Sequence, residues 1–188
     1  MNRHIYFMSA LVLLFLLNGC KDTNDDVMKN LGNMIAKPVL ISYNRMKLWT
    51  RDSIQTNNTY IQTKFRLVVY MDSVHCTECT LKGMHLWEDF IKLENKYKDR
   101  LKVEFLLQPD KRNSVKEIVD ALNHYEVKYP IYIDSSYVFS SMNPHIPTEE
   151  MYHVFLVDEN DSVVLVGNPQ FNPDIENRLL GILEQKLN

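Results

Sequence analysis

The sequence predicts an α/β domain with a mixed central sheet and helices on both of its faces. Short runs rich in β-branched and aromatic residues alternate with amphipathic segments in the order β-α-β-α-β. Two further apolar runs follow, joined by a polar turn from Asp158 to Asp161, and a last amphipathic segment ends the chain. Crossover helices imply parallel strands and a hairpin implies antiparallel strands, so the predicted sheet is mixed.

The composition is that of a globular protein. The chain has 188 residues, of which 45 % are hydrophobic and 24 % charged, enough for one domain plus an appendage. The formal net charge is −3 and no basic stripe is present, so nucleic acid is not an expected partner. We expect a monomer.

The N-terminal residues 1–19 form a separate segment. Arg3 precedes an apolar run from Ile5 to Leu17, and a helix of this length covers about 20 Å, less than the ~30 Å of a bilayer core. The run ends in "LNGC", which resembles the lipobox of bacterial lipoprotein signal peptides. The resemblance implies lipidation of Cys20 and anchoring to a membrane of the bacterial cell envelope, facing the periplasm or the cell surface. The alternative is an ordinary secretory signal in which Cys20 is incidental.

Residues 20–33 are predicted to be an acidic polar tether. Asp22, Asp25 and Asp26 cluster there, and we expect 21–29 to be disordered. The acidic run is also similar to a surface-export signal of some Gram-negative lineages, but a solvated linker is the preferred interpretation. The folded domain is predicted to span residues 34–188.

Within that domain, strands are predicted from apolar runs that are bounded by polar residues. They lie at 64–71, 101–107, 129–134 and on both sides of the turn at 158–161, with further short strands or a hairpin at 34–41 and 46–50.

Three helices are predicted between and after these strands. The first follows residue 76 and carries an apolar stripe of Leu86, Phe90, Leu93 and Tyr97. The second begins with a capping box, "SVKE", at 114–117. The last begins at 172–173, where Asn and Pro suit the cap and first-turn positions of a helix.

Cys76 and Cys79 lie where the 64–71 strand runs into the first of these helices. A cysteine at a helix N-terminus faces free backbone N–H groups, which favour the nucleophilic thiolate, and a second cysteine one turn along can resolve a mixed disulfide. A structural disulfide is a weaker interpretation, because a four-residue loop gains only roughly 2 kcal/mol. A zinc site is also weaker, because it needs further ligands that only dispersed histidines could supply.

The strand that enters Cys-x-x-Cys at a helix start, in this order of elements, resembles the thioredoxin superfamily. The lipid anchor and the segments "YPIYID" and "FLVDENDSVVLVG" are similar to TlpA-like, membrane-tethered thiol-disulfide proteins over about residues 65–187. The resemblance implies a thioredoxin-like fold and a thiol-disulfide oxidoreductase, expected to be a reductase. Cys76 would attack, Cys79 would resolve, and no cofactor beyond the redox-active disulfide Cys76–Cys79 would be needed. The implied partners are a protein thiol or disulfide substrate and an electron-donating redox protein.

Several positions depart from the family pattern near the cysteines. His75 stands where an aromatic residue is usual, and its imidazole could favour the Cys76 thiolate. Glu78, between the cysteines, would oppose that thiolate. Lys82 stands where the family often has Glu. We predict that these three residues modulate the pair.

Two further positions concern the family's conserved proline and buried acid. "IPT" places Pro147 as the candidate for the cis-proline beside the disulfide, but counting back from "FLVD" gives Tyr152 instead. The buried acid that assists proton transfer in thioredoxin corresponds to Tyr70. Asp72 two residues later could substitute for it, but a turn-forming Asp is the preferred interpretation.

Two functions compete with the oxidoreductase. The first is a non-catalytic thioredoxin-like binding lipoprotein, which the departures from the family pattern favour. The second is a metal-delivery module in which two thiolates and His75 or His153 bind Cu(I).

Overall fold

The computed structural model describes residues 23–51, 53–56, 62–72 and 77–187. Residues 1–19, Cys20, His75 and Cys76 lie outside these ranges. No helix of the described residues is long and apolar enough to cross a membrane.

The described residues form a seven-stranded sheet with the strand order β2-β1-β5-β4-β3-β6-β7. The strands are β1 Lys47–Thr50, β2 Ser53–Gln55, β3 Phe65–Met71, β4 Leu101–Leu107, β5 Ile131–Ile133, β6 Val154–Asp158 and β7 Val163–Val166. β4 pairs in parallel with both β3 and β5, and the other pairs are antiparallel. The predicted mixed sheet is therefore confirmed.

The helical elements connect and cover these strands. The α-helices are α1 Thr23–Ile35, α2 Thr77–Lys82, α3 Glu88–Tyr97, α4 Val115–His124, α5 Val138–Met142 and α6 Pro173–Leu187. Short 3-10 turns occupy Tyr43–Arg45, Gly83–Trp87, Lys98–Arg100 and Glu150–Tyr152.

Two predicted helix starts are confirmed at atomic detail. The Ser114 hydroxyl accepts from the Glu117 backbone N–H at 3.2 Å, and the Glu117 carboxylate accepts from the Ser114 backbone N–H at 2.6 Å, which completes a capping box. The Asn172 side-chain oxygen accepts from the backbone N–H groups of Asp174 and Ile175 at 3.0 and 3.3 Å. Local sequence therefore determines both starts.

β3 is the centre of the sheet and is buried along its whole length. On one face, Leu67 and Val69 pack in a core that includes side chains of α3, α4 and α6. On the other face, Val68 belongs to a second core with Met34 of α1 and Phe139 of α5. Helices therefore cover both faces of the sheet, as predicted.

The N-terminal part of the described chain differs from the prediction. Residues 23–35 form α1, where the sequence analysis expected an acidic tether that is disordered over 21–29. Val27, Leu31 and Met34 recur at helical spacing; Met34 is buried in the second core and Leu31 packs against it. The predicted strand at 34–41 is also wrong, because Met34 belongs to α1 and the following residues are irregular. The acidic residues of the first turn suit a helix N-terminus.

A buried network of polar side chains lies on the second face of the sheet, near the start of β3. The Tyr43 hydroxyl donates to Glu104 at 2.6 Å and accepts from the Arg66 guanidinium at 2.8 Å. Arg66 also forms an ion pair with Asp161, in the β6–β7 turn. Burial raises the pKa of Glu104, against the lowering effects of the Tyr43 hydrogen bond and the Arg66 charge. The network connects the segment before β1 to the centre of the sheet by hydrogen bonds. The sequence analysis did not predict this network.

Candidate functional site

The cysteine pair lies at the carboxyl end of the central strand. β3 ends at Met71, and α2 begins at Thr77, directly after Cys76. Cys79 is the third residue of α2. Cys76 and His75 lie outside the described residues, as do the side chains of Glu78 and Cys79. The roles assigned to these four residues therefore stay predictions.

Lys82 is the last residue of α2 and is exposed. Its ammonium lies 5.6 Å from the centroid of the Tyr125 ring, where α4 ends, so it is directed toward the neighbouring helix. The Lys82 carbonyl contacts Nδ1 of His85 at 2.8 Å, which fixes the turn that follows α2. The modulating role predicted for Lys82 would act from the C-terminal end of α2.

His153, rather than Pro147 or Tyr152, immediately precedes β6. β6 begins at Val154, and the Tyr70 backbone N–H donates to the His153 carbonyl at 2.8 Å. Pro147 lies six residues earlier, and its carbonyl accepts from Nε2 of His153 at 3.0 Å. The 3-10 turn Glu150–Tyr152 lies between them, so Pro147 is not the residue next to β6. No peptide bond among the described residues is cis.

Tyr70 occupies the position at which the family resemblance places a buried acid. It is buried, and its ring packs against His153 at 4.9 Å and against Phe139 at 4.7 Å between centroids. Burial raises the pKa of Tyr70, and the nearby Asp72 carboxylate raises it further, while Ser140 lowers it. At neutral pH, Tyr70 is therefore a neutral phenol that can donate a hydrogen bond but cannot take up a proton as a carboxylate does.

A polar cavity of about 240 Å³ adjoins Tyr70 on the α5 side of the sheet. Its polar lining comprises Tyr70, Asp72, Gln108, Ser140, Asn143, Thr148 and His153. The Ser140 hydroxyl donates to the Gln108 side-chain oxygen at 2.7 Å, which connects α5 to the end of β4. Asp72 is buried and lies one residue beyond β3, next to the segment 73–76. The cavity therefore brings a carboxylate and several hydrogen-bonding groups to the cysteine end of the sheet.

A larger cleft borders α2 on the opposite face. It has a volume of about 410 Å³, with Val69, Met71 and Trp87 among its apolar lining and Thr80 and Gly83 on the helix side. Trp87 turns inward because residues 83–87 form a 3-10 turn, whereas Leu86, which the predicted stripe placed inside, is 47 % exposed.

The described residues contain no candidate metal site. No group of three His, Cys, Asp or Glu side chains in ranges 23–51, 53–56, 62–72 and 77–187 could hold a metal ion. His75 and Cys76, which the copper hypothesis requires, lie outside those ranges.

The sequence analysis missed His153 as the residue next to the strand. Its signal was present, because His153 directly precedes the apolar run that becomes β6. It also missed the loop between β7 and α6, where Gln170 and Phe171 line the clefts on the α3 side of the sheet. No sequence pattern marks these two residues, because only the tertiary arrangement brings them beside α2 and α3.

Comparison with known proteins yields matches only at the level of solved structures. No family model and no curated protein matches the chain. The solution structure of a thioredoxin-like protein in its oxidized form superposes with a TM-score of 0.51 at 17 % identity, covering 79 % of this chain and 96 % of that one. The chain has a thioredoxin-like fold.

Two further structures align less closely. The thioredoxin domain of a thiol-disulfide oxidoreductase from Bacteroides vulgatus gives a TM-score of 0.46 at 16 % identity, covering 68 % of this chain and 82 % of that one. A PrxQ variant from Xylella fastidiosa gives 0.47 at 15 % identity, covering 81 % and 91 %.

Proposed function

We propose that this protein is a thiol-disulfide oxidoreductase of the bacterial cell envelope, anchored by lipid on Cys20 and acting through Cys76 and Cys79. One observation carries the proposal. In a thioredoxin-like fold, α2 begins immediately after Cys76, so the Cys-x-x-Cys sequence spans the entry to the helix that follows the central strand. This is the place where a thiolate gains from free helix N–H groups.

The proposed reaction is a two-step thiol-disulfide exchange. The Cys76 thiolate attacks one sulfur of a partner's disulfide, that disulfide breaks, and the leaving sulfur departs as a thiolate that takes up a proton. Cys79 then loses its proton and attacks the Cys76 sulfur, which releases the second partner sulfur as a thiolate. Two electrons pass to the partner, and the disulfide Cys76–Cys79 is formed. A dithiol redox protein would return the pair to its reduced state.

The residues around the pair support this chemistry in different ways. Tyr70 cannot accept the Cys79 proton at neutral pH because burial keeps its phenol neutral. We assign that role to Asp72, whose buried carboxylate lines the polar cavity beside residues 73–76. His75 would favour the Cys76 thiolate and Glu78 would oppose it, so we expect a moderately lowered Cys76 pKa and a reducing potential.

Redox titration of the full chain in detergent against glutathione tests the proposal. We expect one two-electron transition, with a potential in the reducing part of the range from about −270 to −120 mV that is typical of thioredoxin-like proteins. Cys79→Ser should trap a mixed disulfide with a partner through Cys76, and Cys76→Ser should trap none. Equal, slow alkylation of both thiols with no trapped adduct would refute the oxidoreductase.

A second candidate is a binding lipoprotein without redox activity. The observation that favours it is that His153, and not Pro147, directly precedes β6. The same titration separates the candidates, because a binding protein without redox activity would show no two-electron transition in the reducing range.

A further inference from the structure

Two apolar clefts adjoin each other on the α3 side of the sheet. The near cleft is the one that borders α2, defined above by Val69, Met71, Trp87, Thr80 and Gly83. The far cleft, also of about 410 Å³, lies between α3 and the start of α6 and is lined by Phe90, Leu93, Pro169 and Leu180. Leu86, Gln170 and Phe171 line both clefts, so the two form one continuous groove that leads away from α2.

The boundary between the clefts exposes large apolar side chains. Phe171 is 75 % exposed, more than any other large hydrophobic side chain of the described residues, and Leu86 is 47 % exposed. Both stand at a concave surface with a buried apolar floor. Exposed apolar groups at a cleft are characteristic of a binding surface rather than of ordinary solvent-facing positions.

Gln170 provides a polar group at the same boundary. Its side-chain Nε2 is buried and has no hydrogen-bond partner among the described residues. The turn that contains Gln170 is stabilised by a hydrogen bond, because the Gln170 backbone N–H donates to the Asn168 side chain at 2.9 Å. A side-chain amide can pair with the N–H and C=O of a peptide group, and a rotation of the Gln170 side chain would satisfy Nε2 with a bound peptide carbonyl.

The charges around the groove have one sign. Glu150 lines the near cleft, and Asp89 and Glu176 line the far cleft, whereas no Lys or Arg of the described residues lines either. Lys92 offsets part of this charge, because its ammonium lies 2.9 Å from Asp89. The groove therefore favours a ligand with an apolar centre and positive flanks.

We propose that this groove binds an extended segment of a partner polypeptide that carries apolar side chains flanked by Lys or Arg. One apolar side chain enters the far cleft against Phe171, and the chain continues over Gln170 into the near cleft. In an extended segment, residues i and i+2 face the same side, so alternate side chains can fill the two clefts. The part of the inference that makes the bound partner a disulfide substrate rests on the proposed function. In that case the near cleft would bring the partner's disulfide to α2.

Fluorescence anisotropy with a peptide that lacks cysteine tests the groove apart from the redox chemistry. The probe is a labelled nine-residue peptide with Phe and Leu at alternate positions between flanking lysines, added to the full chain in detergent, with a detergent-only blank. Phe171→Ala should weaken binding about tenfold, because hydrophobic anchors dominate such interfaces. Val164→Ala, which shortens an exposed side chain on β7, is the matched control and should leave binding unchanged.

Charge is tested in the same assay. Glu176→Lys should weaken binding of the lysine-flanked peptide, and about 0.5 M sodium chloride should weaken it in the unaltered protein. A peptide with glutamates in place of the lysines should bind more weakly than the original. Equal binding of the two peptides, or equal binding by Phe171→Ala and the unaltered protein, would overturn the proposal. Self-association or vesicle binding that depends on Phe171 would overturn it in favour of a dimer or membrane surface.

The experiments distinguish a refuted groove proposal from a refuted oxidoreductase proposal. If the glutathione titration shows no redox transition but the peptide binds through Phe171, the oxidoreductase is refuted and the groove stands. If the protein reduces a small disulfide but does not bind the peptide, the groove is refuted and the oxidoreductase stands. Phe171 is exposed, so its replacement should not unfold the protein, and an unchanged urea midpoint verifies this.

Discussion

Replacing Tyr43 with phenylalanine removes one oxygen from the buried network that joins Arg66 to Glu104. The ring stays, and its edge-to-face contact with Tyr132, at 5.0 Å between centroids, is preserved. Two hydrogen bonds disappear, the one to Glu104 at 2.6 Å and the one from Arg66 at 2.8 Å. Arg66 and Glu104 are then left with 3.9 Å between their nearest nitrogen and oxygen, too far for a hydrogen bond.

The expected cost is a substantial fraction of the protein's stability. A hydrogen bond to a charged group contributes about 1.5–3 kcal/mol, and removing a partner leaves a buried group unsatisfied. Arg66 is 1 % exposed and Glu104 is 4 % exposed, so water does not easily replace the lost oxygen. We therefore expect Tyr43→Phe to lower the free energy of unfolding by about 2–4 kcal/mol at neutral pH.

The cost should depend on pH in a definite direction. The Tyr43 hydrogen bond lowers the pKa of Glu104, so its removal raises that pKa further above the value in the unfolded chain. An acid with a raised folded-state pKa binds more protons when folded, so stability falls as pH rises from the unfolded pKa through the folded one. Tyr43→Phe should therefore destabilise the protein more at pH 7 than well below pH 4.5, where Glu104 is protonated in both states.

Urea unfolding followed by tryptophan fluorescence measures both effects. Tyr132→Phe is the matched control, because Tyr132 packs on the same face and its hydroxyl makes no hydrogen bond to the described residues. Burial and the Glu104 charge raise the pKa of Tyr132 to about 12, so its hydroxyl is neutral in both experiments. We expect a change below about 0.5 kcal/mol for the control. Equal stabilities of the two variants at both pH values would refute the bridging role of Tyr43.

Three further predictions concern other parts of the chain. Asn143→Ala should lower the free energy of unfolding by about 2–3 kcal/mol in urea titration, because its side chain bonds both backbone groups of Leu40 and the Phe139 carbonyl, each at 2.8 Å; a change below ~0.5 kcal/mol would contradict this. Burial lowers the pKa of His145, so stability should fall as pH drops below 6.5, and His145→Gln should reduce that slope, whereas an unchanged slope argues against it. Cys20→Ser should abolish incorporation of radiolabelled fatty acid, and label that survives in the variant would exclude lipidation there.

The elements that the sequence predicted well depend on local chemistry. The capping box at Ser114 and the Asn172 cap are each satisfied within three residues, so the sequence contains all of the information. The β6–β7 turn is equally local, because the Asp158 carboxylate accepts from the backbone N–H groups of Asn160 and Ser162. Alternating apolar runs and helical stripes then determined the mixed sheet.

The elements that it predicted poorly depend on distant partners. Val27, Leu31 and Met34 form an apolar stripe, but an isolated helix of this length is marginal and is stabilised when it packs on the second face of the sheet. The acidic residues at its start were equally consistent with a solvated linker. The separation of Pro147 from β6 depended on the 3-10 turn Glu150–Tyr152 between them, which no local sequence pattern marked.

The candidate site combines both kinds of information. The spacing of Cys76 and Cys79 and the start of α2 are local features, so the sequence placed the pair at a helix entry without knowledge of the fold. The surroundings of Tyr70 are not local, because its ring packs against Phe139 and His153, residues about 70 and 80 positions away along the chain, and its burial raises its pKa further. A cavity of about 240 Å³ can hold several water molecules, and its polar lining would allow them to connect Asp72 to solvent. Because Tyr70 stands where the family has its acid, we propose that Asp72, at the end of β3, accepts the proton in its place.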